Sequence, residues 1–174
     1  MSVYYPDSVG SQGKDTWIWV PTIATKTAMT VAEATATGAV VLQNAMRPGF
    51  GSSSETEKIN DERQGSLNVY QRAGTTTVTL PDMIVIDRPQ DSTGGAMNKH
   101  LEALVPGAVG YLINRRGIGS APENWVAPTA AQKYIGYPVE VASVNPNAPG
   151  DTKSFEATVS LSVTGAVFKG TIAA

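Results

Sequence analysis

The single histidine, His100, is the first residue to weigh for chemistry. It lies beside Lys99 and near Glu102 in a helix-like stretch. A catalytic histidine needs a nucleophile and an orienting carboxylate, and the chain has no Gly-x-Ser-x-Gly elbow to supply the first. A metal site needs three or four ligands; with one histidine and no cysteine only carboxylates remain. His100 therefore reads as a partly exposed residue on a helix surface. Gly49-Phe-Gly51 and Gly117-Ile-Gly119 are fragments of a glycine-rich loop without a βαβ context or a following Gly-Lys-Ser/Thr, so nucleotide binding is unsupported. The acidic cluster Glu55, Glu57, Asp61 and Glu62 lacks the spacing of a calcium loop. Arg115-Arg116 could touch phosphate, but two cations fit a solvated strand end or an inter-subunit ion pair better. Trp17, Trp19 and Trp125 could stack on a sugar, yet the polar partners that would orient one are scarce nearby. These residues predict no catalytic, metal or cofactor site, and no enzyme.

Composition gives the next constraint. Hydrophobic residues make up 41% and charged residues only 16% of the 174, against roughly 25% charged in ordinary soluble domains. Eighteen threonines and eighteen valines fill the deficit and favour strands. A surface this poor in charge points to assembly. The net charge of −2 argues against a generic nucleic-acid or anionic-membrane binder. Without disulfides, a signal-peptide pattern at Met1-Ser-Val-Tyr-Tyr-Pro-Asp7, or an apolar run of the ~20 residues that spans a bilayer, synthesis in the cytosol is expected, with no membrane partner.

The elements that position these residues are mainly strands. Phe155 to Thr164 alternates without a break: Phe155, Ala157, Val159, Leu161 and Val163 apolar, Glu156, Thr158, Ser160, Ser162 and Thr164 polar. Ile135, Tyr137, Val139 and Val141 alternate likewise with Gly136, Pro138, Glu140 and Ala142, and Asn145 to Asp151 is built from turn residues. Two long antiparallel strands sharing one buried face follow, with an edge that something must cover.

Elsewhere, residues 1–15 read as a polar N-terminal arm on a single domain of residues 1–174. Trp17 and Trp19 share one face of an extended segment, packed against a neighbouring sheet. Thr30-Val-Ala-Glu33 has the form of a capping box, and 38–46 reads as a strand. Residues 47–65 read as a long irregular loop. Strands over 66–72 and 75–87, separated at Ala73-Gly74, follow, with a bulge or kink at Pro81-Asp82, and Arg88 to Gly95 breaks the chain. Met97, Leu101, Leu104 and Val105 make one apolar stripe of a helix of about ten residues, stopped at Pro106-Gly107. Ala108 to Asn114 is a strand, 118–130 a second loop, and Ala166 to Ile172 continues past a kink at Gly165.

In this order, Val20-Pro-Thr-Ile-Ala24, Thr30-Val-Ala-Glu33, Glu55-Thr-Glu-Lys-Ile-Asn-Asp-Glu-Arg63, Leu104-Val-Pro-Gly107, Gly110-Tyr-Leu-Ile-Asn-Arg-Arg-Gly117, Tyr137-Pro-Val-Glu-Val141 and Val163-Thr-Gly-Ala-Val167 resemble the tail tube (major tail) protein of long-tailed bacteriophages, particularly those of actinobacteria. The resemblance implies an antiparallel β-sandwich or β-barrel-like fold with one flanking helix and long loops. It also implies a virion structural role, in which hexameric rings stack into a hollow tube for DNA ejection alongside tape measure, tail terminator and distal tail proteins. Carried onto this chain, it puts Glu140, Thr158, Ser160 and Ser162 on the lumen, without specific DNA binding. Val139, Val141, Val159, Leu161 and Val163 would form the sheet core, with Met97, Leu101 and Leu104 packing the helix. Phe50, Glu55, Glu57, Lys58, Asp61, Glu62 and Arg63 would meet the next ring. The rivals are another self-assembling β-protein, such as a capsid decoration protein or secretion-system tube ring, and a carbohydrate-binding β-sandwich.

Overall fold

The computed structural model describes residues 8, 10–64, 69–91, 97–119, 125–150 and 154–174. Expectations for residues 1–7 and 9 of the arm, for the strand start at 66–68, for the break at 92–95, for 120–124 of the second loop and for Asp151 of the turn lie outside them.

The described residues form β1 (Asp15–Val20), α1 (Val31–Ala34), β2 (Val40–Val41), β3 (Ser53–Asp61), β4 (Tyr70–Thr79), β5 (Met83–Ile86), α2 (Lys99–Ala103), β6 (Val109–Arg116), β7 (Lys133–Pro146), β8 (Glu156–Val163) and β9 (Phe168–Thr171). The fold is mainly β: one antiparallel sheet in the order β2-β1-β6-β7-β8-β5, curled into a half-barrel, with β9 also on β7. β8 and β9 lie end to end along one edge of β7, β8 against Val139 to Pro146 and β9 against Lys133 to Gly136. Gly165 sits at the step between them. The segment after β2 spans the open side of the curl: Leu42 N–H donates to Trp17 O at 2.8 Å, while Arg47 N–H donates to Ile84 O at 2.9 Å on the opposite edge.

The alternation of β7 and β8 is realised with one irregularity. Val139 faces Val163 and Val141 faces Leu161, but Ser143 faces Ser160, so β7 carries one extra residue. A bulge of this kind reverses which side chains point inward. The inward set on β7 therefore changes from Val139 and Val141 to Val144, opposite Val159.

Two apolar clusters lie on opposite faces of the sheet. Inside the curl, Trp17, Trp19, Leu42, Met83, Leu104, Leu112, Val139, Val141 and Val159 are buried. On the outside, Ile18, Val20, Met29, Ala34, Ile113, Tyr134 and Ile172 bury the other face of β1, β6 and the first half of β7. Helix α1 closes this second cluster through the expected capping box: Glu33 N–H donates to Thr30 Oγ1 at 3.2 Å and Thr30 N–H donates to Glu33 Oε2 at 2.7 Å. The same carboxylate accepts from Ala24 N–H, and these backbone donors hold it below the usual carboxylate range.

Several expectations are corrected. Only Val40–Val41 of the segment 38–46 is a strand, joined by an isolated bridge at Met46. Residues 53–61, read as part of a loop, are β3. β4 runs through Ala73-Gly74 without a break; Gly74 and Thr75 together oppose Glu57 in a bulge. Helix α2 spans five residues rather than about ten, because the backbone leaves the helical region at Leu104 (φ −96°, ψ 49°). Leu104 is fully buried and Leu101 packs on the core, but Met97 is 56% exposed and does not. His100 is buried, not a surface residue: its Nε2 lies 2.6 Å from Ile86 O. Leu161 and Val163 are only partly buried against the core that Val139, Val141 and Val159 fill.

Candidate functional site

The outer face of the sheet is covered over half its width and bare over the rest. Where the second cluster ends, Glu140 stands opposite Ser162, and Ser160 and Thr158 follow on the same face of β8. The four polar residues expected together are together. Glu140 and Ser162 are exposed, and Thr158 and Ser160 half-buried. Thr158 Oγ1 donates to Asn147 Oδ1 at 2.7 Å, and Ser160 Oγ donates to Asp82 Oδ1 at 2.6 Å. Three carboxylates, Asp82, Glu140 and Glu156, border this hydroxyl surface, and Glu156 pairs with Arg47. Such a face presents acceptors and negative charge, chemistry that does not hold polyphosphate.

The second exposed element is the hairpin of β3 and β4, a separate two-stranded sheet. Eight of the nine β3 residues are exposed, and β4 is exposed except at Gly74 and Val78. Glu55 and Glu57 share one face of β3 with Ile59, while Lys58 lies on the other. Asp61 is bridged by Arg63 at 3.0 Å and by Arg72 at 2.9 Å, and Glu62 is exposed. Thr56 and Thr76 join hydroxyls across the ladder at 2.8 Å. Phe50 does not belong to this projecting part. It packs edge-to-face on Trp17, centroids 4.9 Å apart, and roots the hairpin in the core.

Arg115, like His100, lies inside the molecule and not on its surface. It is fully buried rather than at a solvated strand end. Its guanidinium donates to Gln132 Oε1 at 2.6 Å and Val126 O at 2.9 Å, and lies 5.3 Å from the Trp125 ring centroid. Desolvation lowers its pKa to about 10, which leaves it charged at neutral pH. Its position two residues after Ile113, on the same face of β6, is the signal that could have found it. Trp17 and Trp19 are 5% and 2% exposed, so neither offers a ring to a sugar.

No curated protein matches the chain. The family model described as phage tail tube protein matches residues 4–174. That family is a structural, non-enzymatic one of the virion tail. The chain belongs to the phage tail tube protein family.

Proposed function

We propose that this chain, acting as a single domain, forms hexameric rings that stack into the hollow tube through which genomic DNA leaves the virion. Tape measure, tail terminator and distal tail proteins are its other partners, and the host cytoplasm is where it is made. One observation carries the reading: among the described residues, the β3–β4 hairpin has no fully buried residue and pairs with no third strand. An isolated two-stranded hairpin is marginal in water, and an open edge invites another chain. The hairpin, including Glu55, Glu57, Lys58, Asp61, Glu62 and Arg63, meets the next ring, and Phe50 anchors its root. A head-to-tail contact whose rotation closes makes a ring. The face bearing Glu140, Thr158, Ser160 and Ser162 then lines the lumen, where hydroxyls and carboxylates let DNA pass without holding it.

Negative-stain electron microscopy of the purified protein, over a range of concentration and salt, tests the assembly. Hollow rods with a regular axial repeat are the expected result; dispersed monomers at every concentration would count against it. The lumen assignment has its own test in phage carrying Thr158→Lys and Ser160→Lys. Slower DNA ejection is expected, and unchanged ejection would remove the assignment.

A further inference from the structure

An open groove of about 890 Å³ lies beside the root of the hairpin. Its floor is apolar, made by Trp17, Phe50 and Met46. Gly49 at φ 102° and Gly117 at φ 78° hold left-handed turns in its lining and put no side chain into the opening. Its charge is one-sided. Lys14, Arg47 and Arg116 line it against a single carboxylate, Asp15. Asp15 faces Arg116 in the β1–β6 ladder, yet both its oxygens are engaged elsewhere. One accepts from Trp17 Nε1 at 3.0 Å, the other from Asn114 Nδ2 at 2.7 Å. Arg47 is paired with Glu156. Lys14 and Arg116 have no ion-pair partner among the described residues.

The complementary surface is on the same chain. Glu55 and Glu57 sit two residues apart on one exposed face of β3, about 7 Å apart along the strand, and neither has an ion-pair partner among the described residues. Ile59 continues that face and is 55% exposed. Two carboxylates followed by an aliphatic side chain match two free cations beside an aromatic floor. β3 leaves the groove at Ser53 and its carboxylates do not line it, so the match is not made within one copy.

We infer that the groove between Lys14 and Arg116 receives the Glu55–Glu57 face of β3 from a second copy of this chain. The inference rests on the assembly proposed above and names the surface that accepts the hairpin. Such a contact uses different patches on the two copies, and so propagates head to tail. Charge complementarity of this kind sets register and partner choice.

Charge exchange tests it, read by pelleting and negative stain against the wild-type tube. Lys14→Glu with Arg116→Glu should cut the yield of tubes by at least about tenfold, since like charges are set across the interface; any fall in melting temperature from a carboxylate opposite Asp15 is carried by the four-fold variant too, so recovery of tubes there isolates the interface. Glu55→Lys with Glu57→Lys should do the same. The chain carrying all four changes restores opposite charge and should recover tubes. Tubes at wild-type yield from either double variant would overturn the groove assignment while leaving the tube reading intact. So would a folded four-fold variant that stays dispersed. Tube loss on removing residues 1–9, with both charge variants assembling, would give the groove to the chain's own N-terminal segment instead. Wild-type protein that never polymerises fails the underlying reading, a different result from any of these.

Discussion

β6 and β3 are strands of nearly equal length, eight and nine residues, with opposite surroundings. β6 is central in the sheet, paired by β1 and β7, with Leu112 facing one apolar cluster and Ile113 the other. β3 has a partner on one side only and almost no burial. β6 is held by burying side chains on both faces, about 1.5–3 kcal/mol for each large apolar residue. β3 is held by ladder hydrogen bonds and cross-strand pairs worth a few tenths of a kcal/mol to about 1 each. One region buries apolar side chains on both of its faces; the other has almost nothing to bury within the chain.

The contrast can be broken most severely in the two-faced region. Trp19→Ala empties a 2% exposed site in the inner cluster and should cost about 3–5 kcal/mol in urea denaturation. A loss under about 1 kcal/mol would mean that the cluster is not close-packed. Arg115→Ala should cost less, about 1–3 kcal/mol, mainly by leaving Val126 O and Gln132 Oε1 without their donors. Arg115→Met should lose less than Arg115→Ala, because it fills the space without a buried charge. Thermal melts of the two variants side by side decide this.

Next comes the helix that closes the outer cluster. Glu33→Gln should cost about 1 kcal/mol at neutral pH, the scale of a lost cap. Glu33 has a depressed carboxyl in the folded state. Its contribution is therefore present above the ordinary glutamate range and is lost as pH falls through the folded value. The difference between wild type and Glu33→Gln should vanish in acid; a difference that persists would place the effect in packing. The smallest stability effect belongs to the hairpin. Replacing residues 55–77 by Asn-Gly keeps the Ser54 and Val78 pair and supplies a two-residue turn. Unfolding free energy should change by less than about 0.5 kcal/mol, as for other surface changes, while tubes disappear. A large loss of stability would erase the distinction between the two regions.

Legibility in the sequence followed the same division. Where one face of a strand is wet and the other dry, the chain shows it, as in Phe155 to Thr164 and Tyr137 to Val141. The four polar positions of the bare face follow from that alternation alone. The Thr30 and Glu33 box was equally plain because capping is local chemistry. β3 was read as loop because a strand with no buried face has no reason to alternate: Glu55-Thr-Glu-Lys-Ile-Asn-Asp61 keeps no period. Arg115 and His100 were read as surface groups because polarity says nothing about the Trp125 ring or the Ile86 carbonyl that cover them. The groove could not be read at all, since Lys14 and Arg116 are brought together only by the β1–β6 ladder.

That ladder also sets the order in which the chain can fold during synthesis. Asp15 pairs with Arg116, Trp17 with Asn114, and Thr30 bridges Ala173. A nascent chain therefore carries Trp17-Ile-Trp-Val20 with only the short β2 beside it until β6 is made, and cannot close α1 over the outer cluster until β9 has emerged. Pairings this distant fold on the slow end of the scale, in milliseconds to seconds. Every chain thus passes through an interval in which the β6 edge of an apolar strand is still open. The hairpin, local in sequence, can form long before the sheet that gives it a root, and the groove beside that root is complete only once β1 and β6 have paired.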